Sequence, residues 1–350
     1  MKRRELNIEL LRILSMLSIV YLHFESIVKS QSVFDEAVKS TIYTLSSFGL
    51  NTFVLITGYF MINKTEIKLN RFIKVFIQTV FYTVLLTAIF YMMGKASFSQ
   101  ILVSFYPFSP SRLNYWFVSH YLALMLLQPF LSRLALSLSK RLYTVLLIIL
   151  ITLSTEMFSV FPLGYLFSSP WKVWWFICLF FTGGYLRLHL PDHLDKKRFS
   201  LRLVIAIAFV FFIQVVKFSH ISWIKIDGYN SLTEYLYSVM IFIIFRQIHI
   251  TKGAGLINFI SPCVFSVYLI HCHFYIYQYL KFAEVRLYNS IPINNVCFVL
   301  LFCMFIFIIC VCIDRIRLYL YALCKIPEYE LKLSDWLRRK SLFYISKLIG

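Results

Sequence analysis

Residues 6–28 read LNIELLRILSMLSIVYLHFESIV. A helix needs about 20 mostly apolar residues to cross the hydrocarbon core of a bilayer, and this run is long enough. It exceeds the apolar region of a cleavable signal peptide. It also carries Arg12 and His23 inside it, and no small-residue cleavage site follows, so it is expected to be a first membrane span. Nine further runs follow at 42–62, 72–94, 115–137, 142–160, 171–188, 200–217, 231–249, 255–280 and 293–320. The last is overlong and is expected to continue into the cytoplasm. No soluble domain, low-complexity segment or internal repeat interrupts the series. The expected fold is an all-α integral membrane bundle of about ten transmembrane helices with both termini cytoplasmic. A membrane domain covers 1–327, and a basic amphipathic cytoplasmic tail covers 328–350.

Composition agrees with this reading. Of 350 residues, 60% are hydrophobic and 15% charged, with a mean hydropathy of +0.75. A soluble domain of this size cannot hide that much apolar surface in one core. The net charge of +19 would suggest nucleic acid in a soluble protein. In a membrane protein it reads first as topology, so no nucleic-acid partner is expected. With the N-terminus inside, 25 of the 35 Lys and Arg residues fall on the inner side, 9 on the outer side, and Arg12 within a span. An odd number of spans breaks this alternation. The eight cysteines lie in or at the edge of apolar runs with no zinc-ligand spacing, and are read as core residues. Ser231 followed by Glu234 reads as a capping box opening the eighth span.

Charged groups within a span are costly and usually face a cavity or a partner. Arg12 and His23 are eleven residues apart, which at about 100° per residue is three turns plus about 20°. Both therefore project from one face, separated along the axis by about 16 Å. Glu9 shares that face and can pair with Arg12. On a structural reading, Arg12 reaches the inner headgroups and His23 hydrogen-bonds within the bundle. On a functional reading, His23 moves a proton where a donor from one side meets an acceptor from the other. Arg71 and Lys74, at i and i+3 where the third span begins, are either ordinary inner anchors or a clamp for a phosphorylated ligand. In the ninth span Tyr268 and His271 share a face, Tyr275 follows four residues after His271, and His273 points roughly opposite. They either hold helices together or line the same cavity as His23. Trp116, at the outer mouth after a long loop over 95–114 with Pro107 and Pro110, is either part of an interfacial aromatic belt or a platform for a sugar ring. Weaker candidates are His120, Glu156 and Gln128-Pro129, whose proline is expected to kink its span. Asp314 with Arg315 and Arg317 is read as a boundary ion cluster. In the tail, Leu333, Trp336, Leu337, Tyr344 and Leu348 alternate with Arg338, Arg339, Lys340 and Lys347. That pattern fits a helix on the inner leaflet or a solvated tail.

These positions resemble the acyltransferase-3 family of bacterial membrane O-acyltransferases over nearly the whole chain. Asn7-Ile-Glu9 through Arg12 to His23 resembles the family's first span, an Arg or Lys followed by ten residues and His, with Glu9 where Asp is frequent. Thr57-Gly58-Tyr59 resembles its second-span ending, which more often begins with Ser. Arg71-Phe-Ile-Lys74 resembles its Arg-x-x-Arg motif, with lysine as a departure that keeps charge but loses bidentate geometry. Tyr115-Trp116-Phe117 with Pro129, Gly183-Gly184-Tyr185-Leu186, and Ser266 to His271 also fit.

The resemblance implies transfer of an acyl group, usually acetyl, from acyl-coenzyme A to a sugar hydroxyl of a cell-envelope polysaccharide or lipid-linked glycan, in the plasma membrane of a bacterium. Arg71 and Lys74 then hold coenzyme A phosphates and Arg12 orients the donor. His23 acts as general base or as acyl carrier, and Trp116, Tyr268 and His271 meet the acceptor. Acetyl-coenzyme A is a co-substrate; no tightly bound cofactor and no metal are expected. A transporter or flippase for a lipid-linked glycan is the alternative, for which paired helix breaks in two halves are the signature and are not seen. A non-catalytic subunit of an envelope-synthesis complex is a third class.

Overall fold

The computed structural model describes residues 5–30, 32–66, 69–106, 115–155, 173–190, 196–219, 228–291 and 293–349. Among them there is helix and no strand. The helices are α1 (Leu6–Phe24), α2 (Val33–Ser46), α3 (Gly49–Met61), α4 (Leu69–Met92), α5 (Phe98–Ser104), α6 (Trp116–Ser137) and α7 (Lys140–Ser154). They continue as α8 (Val173–His189), α9 (Lys196–Phe218), α10 (Leu232–Gln247), α11 (Ala254–Ile260), α12 (Val264–His271), α13 (Phe274–Tyr288), α14 (Asn295–Leu323) and α15 (Ile326–Ile349). Each of the ten apolar runs contains a helix. Among the described residues, five segments are long and apolar enough to cross a membrane: Leu6–Phe24, Leu69–Met92, Arg198–Lys217, Ala254–His271 and Asn295–Leu323. Pro107, Pro110 and Glu156, and the side chains of Tyr344, Lys347 and Leu348, lie outside what the structure describes.

From Val296 to Ile313, α14 is apolar on all sides. Phe298, Phe302, Ile306 and Cys310 are buried, while Leu301, Phe305, Ile308 and Ile316 on its other faces are exposed. A helix hydrophobic all round belongs in lipid or in a deep core. α9 repeats the pattern, with Val204, Ile207 and Phe211 exposed. Its buried Gln214 donates to Thr44 Oγ1 of α2 at 2.7 Å.

Side-chain bonds fix which helix ends meet. Asn7 Nδ2 donates to the carbonyls of Phe245 and Arg246 at 3.0 and 3.2 Å, joining the start of α1 to the end of α10. Arg187 Nη1 donates to Tyr59 Oη at 2.8 Å, bringing the ends of α8 and α3 together. At the opposite end of the bundle, Trp175 Nε1 donates to Asn51 Oδ1 at 3.0 Å, and Asn51 Nδ2 to the Tyr229 carbonyl at 2.9 Å. Asn295 Nδ2 donates to the Lys29 carbonyl at 2.6 Å. These are the Arg12 end and the His23 end of the bundle.

α3 and α8 pack closest. A Cβ on Gly58 would lie 2.2 Å from the Phe180 carbonyl oxygen, and one on Gly183 would lie 2.2 Å from that of Leu55. Both obstacles are backbone, so the two helices touch only because neither position has a side chain.

Three expectations change here. The ninth span is not one helix. Pro262 sits in a 3-10 turn over Ser261–Cys263, and a second break at Cys272 and His273 separates α12 from α13. Tyr275 therefore leaves the face of His271 and stacks on Phe90 at 5.0 Å, while Tyr277 turns toward α1. The capping box of α10 is half made: Ser231 Oγ accepts from the Glu234 backbone N–H at 3.2 Å, but the Glu234 side chain accepts from Gly228 N at 3.3 Å. Asp314 and Arg317, read as a boundary ion cluster, are built into the bundle as a buried pair 2.6 Å apart. Asp314 Oδ1 also accepts from Tyr82 Oη at 2.7 Å and from Ser266 Oγ, and Gln78 Nε2 donates to Ser266 Oγ at 2.5 Å. This network ties α4, α12 and α14 together.

The tail is helical. α15 buries Glu330 and Ser334 and leaves Tyr329, Leu333 and Trp336 exposed, with Lys340 Nζ 4.9 Å from the Trp336 ring.

The close glycine contact predicts that Gly183→Val lowers the thermal midpoint of the purified protein. Overpacking of this kind costs about 1–3 kcal/mol. A second prediction concerns Glu284 on α13, beyond the Ala254–His271 segment. It is fully buried, and its carboxylate oxygens have no hydrogen-bond partner among the described residues. Burial pushes its carboxyl up to about 8, Lys39 and Lys281 pull it down, and Glu25 raises it. The folded value lies above the unfolded one. The stability this group contributes is therefore complete in acid and is lost as pH rises through about 8. In melting curves between pH 6 and pH 9, Glu284→Gln should gain on the wild type as pH rises.

Candidate functional site

α1 carries the polar face anticipated from its spacing. Near its start, Arg12 Nη1 meets Glu9 Oε2 at 3.3 Å. Arg12 also lines two neighbouring cavities. One, of about 110 Å³, adds Thr57, Arg71, Tyr121 and Gln128. The other, of about 310 Å³, adds Glu9, Lys74, Gln78, Tyr121 and Ser261. Arg71 and Lys74 are exposed at the start of α4, and Arg71 Nη1 points at Met61 Sδ. Thr57 Oγ1 lies 3.1 Å from Tyr121 Oη, and both residues line both cavities. Three cationic side chains, Arg12, Arg71 and Lys74, thus line cavities at one end of the bundle.

At the other end, His23, Trp116, Tyr229 and Tyr268 line a narrow pocket. Trp116 and Tyr229 are 6.2 Å apart, and Tyr268 lies 6.2 Å from His271. Phe53, Phe117 and Phe265 border both this pocket and the larger Arg12 cavity. The two spaces therefore meet across three phenyl rings.

Hydrogen bonding fixes the protons of the histidine pair. His271 is fully buried, and its Nδ1 lies 2.6 Å from the Val267 carbonyl oxygen. A carbonyl only accepts, so Nδ1 carries the proton and Nε2 has a lone pair. His23 Nδ1 is 3.0 Å from that Nε2 and must donate to it. The neutral His23 ring then has its own lone pair on Nε2. Tyr277 Oη donates to the His23 carbonyl at 3.2 Å and ties α13 to α1 as well. The backbone of α12 thus sets the basic nitrogen of α1. Orienting a base through a partner on its far nitrogen is the logic of catalytic triads.

Of the site residues anticipated from sequence, Arg12, Arg71 and Lys74 gather at one end and His23, Trp116 and Tyr268 at the other. His271 touches His23 instead of facing the aromatic pocket. His120 Nδ1 contacts the Trp116 carbonyl at 2.7 Å within α6 and lines none of these cavities. Gln128 donates to the carbonyls of Met61, at 3.1 Å, and Lys64, closing the end of α3. Sequence reading missed Tyr121, Tyr229, Tyr277 and Cys272. Cys272 was grouped with the core cysteines, yet its Sγ is 3.3 Å from His271 Nε2. Tyr121 was legible as the residue one turn beyond Phe117 on the cavity side.

A family model described as an acyltransferase domain, that of acyltransferase-3, matches residues 5–315. The chain belongs to this family, and it is a membrane acyltransferase by that membership. The curated proteins and the solved structures compared with it contain no match.

If His23 is the base of acyl transfer, its bond to His271 predicts the behaviour of His271 variants. Losing a hydrogen bond to a group that becomes charged in the transition state costs about 1.5–3 kcal/mol, or about 10- to 100-fold in rate. His271→Ala should lower kcat by that factor with little change in KM for the acyl donor. His271→Gln, which restores an acceptor oxygen near Nε2, should recover part of the loss.

Proposed function

We propose that the chain is a membrane O-acyltransferase that moves an acetyl group from acetyl-coenzyme A to a sugar hydroxyl of an envelope polysaccharide or lipid-linked glycan. In this reading ten spans cross a bacterial plasma membrane with both termini in the cytoplasm, so the Arg12 end is cytoplasmic and the His23 end faces outward. The observation that carries the reading is the contact of two unlike cavities across Phe53, Phe117 and Phe265. One is cationic and suits phosphates; the other is aromatic and carries a base.

Arg71 and Lys74 hold the phosphates of coenzyme A by charge-assisted hydrogen bonds. The pantetheine arm follows the face of α1 past Arg12, which is about 16 Å below His23 along the axis. The thioester is delivered between the three phenylalanines. The acceptor ring lies against Trp116 and Tyr268, whose faces suit the C–H surface of a sugar. Its hydroxyl donates to His23 Nε2. As the hydroxyl oxygen attacks the thioester carbonyl carbon, His23 takes the proton, and His271 Nε2 holds the resulting imidazolium through Nδ1–H. The tetrahedral intermediate then expels the coenzyme A thiolate, which takes the proton from His23 and leaves as the thiol. The acetyl ester remains on the sugar. α15, with Leu333 and Trp336 outward, lies on the inner leaflet, where lysine and arginine meet anionic headgroups.

The test uses purified protein in lipid with acetyl-labelled acetyl-coenzyme A and envelope glycan. His23→Ala should lose about 10²–10⁴-fold in kcat, the usual size of a general-base contribution. Arg71→Ala should raise KM for acetyl-coenzyme A with kcat nearly unchanged. Transfer by His23→Ala at the wild-type rate defeats the proposal. So does glycan that crosses the membrane without acquiring label.

A further inference from the structure

The histidine pair has a third neighbour that acyl transfer does not use. Cys272 Sγ lies 3.3 Å from His271 Nε2 and 3.6 Å from His23 Nδ1, and those two nitrogens are 3.0 Å apart. A tetrahedral Zn²⁺ ion with Zn–N bonds of about 2.0–2.1 Å and Zn–S bonds of about 2.3 Å holds its ligand nitrogens about 3.4 Å apart and its nitrogen and sulfur about 3.6 Å apart. All three edges of the observed triangle come within a few tenths of an ångström of these separations. Chain spacing hides the site. One ligand comes from α1, and the other two sit side by side where α12 ends.

Two further features fit a metal. His271 Nδ1 donates to the Val267 carbonyl at 2.6 Å, the outer support that metal-bound histidines usually have. His23 and Cys272 are both partly exposed, and His23 lines the aromatic pocket from which a cation would enter. The donor set of two imidazoles and one thiolate suits a thiophilic d¹⁰ cation.

We propose that His23 Nδ1, His271 Nε2 and Cys272 Sγ form an inhibitory Zn²⁺ site. Proton balance gives the reason for inhibition. Zn²⁺ displaces the Cys272 thiol proton, which is released to solvent. It also takes the Nδ1 position of His23, so the single proton of the neutral His23 ring moves from Nδ1 to Nε2. That nitrogen then has no lone pair for an acceptor hydroxyl. The binding step stands on geometry alone; the inhibition rests on the general-base reading above.

Co²⁺, a spectroscopic stand-in for Zn²⁺, is added to the full-length protein in lipid nanodiscs. Wild type should develop a thiolate-to-cobalt charge-transfer band and intense tetrahedral visible bands, saturating at one equivalent and erased by Zn²⁺. Cys272→Ala and Cys272→Ser should both lose the charge-transfer band. In the acyl-transfer assay both variants should run at the wild-type rate without metal and need at least about tenfold more Zn²⁺ for half-inhibition, the scale on which even supporting groups change metal affinity. Absence of the thiolate band in wild type overturns the site, as does equal Zn²⁺ affinity in the cysteine variants. If the band appears but no chain, with or without metal, transfers acyl groups, the site stands and the enzymatic reading falls.

Discussion

Inside hydrocarbon a polar side chain has no water to bond with, so each must find a partner within the bundle or line a wet cavity. That constraint organises this molecule. Asp314 has no exposure, yet it accepts from Tyr82, Ser266 and Arg317 together. Removing one partner of such a buried pair leaves an uncompensated charge, a loss of about 3–5 kcal/mol. The network therefore locks the start of α12 against α4 and α14. Five residues of helix, Val267 to His271, separate the Ser266 anchor from the turn at Cys272. Because Ser266 is fixed, the Val267 carbonyl is fixed, and with it the ring of His271 and the hydrogen bond to His23. The orientation of the proposed base is thus set by an ion pair that never touches it.

The helix break at Cys272 and His273 matters for the same reason. A continuous helix would carry the chain straight on and place Tyr275 one turn above His271. The break instead turns α13 so that Tyr277 reaches the His23 carbonyl, while Tyr275 packs on Phe90. It also exposes the side chain of Cys272 to both imidazoles. His273, just past the break, points the other way, with Nε2 3.3 Å from Thr87 Oγ1. A single irregular turn thus keeps His271 and Cys272 beside His23 and sends His273 to a different neighbourhood.

How much of this was legible in sequence depends on range. The helical period fixes which residues of one helix share a face, so Arg12 and His23 could be placed together, and Arg71 with Lys74. The same rule misplaced Tyr275, because it assumes an unbroken helix, and Pro262 was the only local sign of irregularity. The partner of His23 is 248 residues away, and no local pattern encodes that pairing. Asp314 illustrates a different limit. Its neighbours Arg315 and Arg317 look like a membrane boundary, and only the tertiary contact with Tyr82 and Ser266 reveals a buried pair. Gly58 and Gly183 were visible as motif residues, but the reason for them, a backbone oxygen where a Cβ would sit, belongs to the pairing of α3 with α8.

On the proposed reading, the phenylalanine partition explains why the cavities abut without forming an open channel. A continuous wet passage would leak ions and protons across the membrane and let water compete with the sugar for the thioester. Phe53, Phe117 and Phe265 come from three separate helices or turns, so a thin acyl-pantetheine chain can part them without moving the backbone that holds Arg12 or His23. Rings exclude water when the arm is absent and contact its methylene groups when it is present. The partition also explains the division of polar labour along α1. A guanidinium is always charged and belongs on the side where an anionic donor binds. An imidazole can gain and return one proton per cycle and belongs where the hydroxyl arrives. Exchanging the two would put a permanent charge beside the sugar and leave the phosphates with a weak, titrating partner.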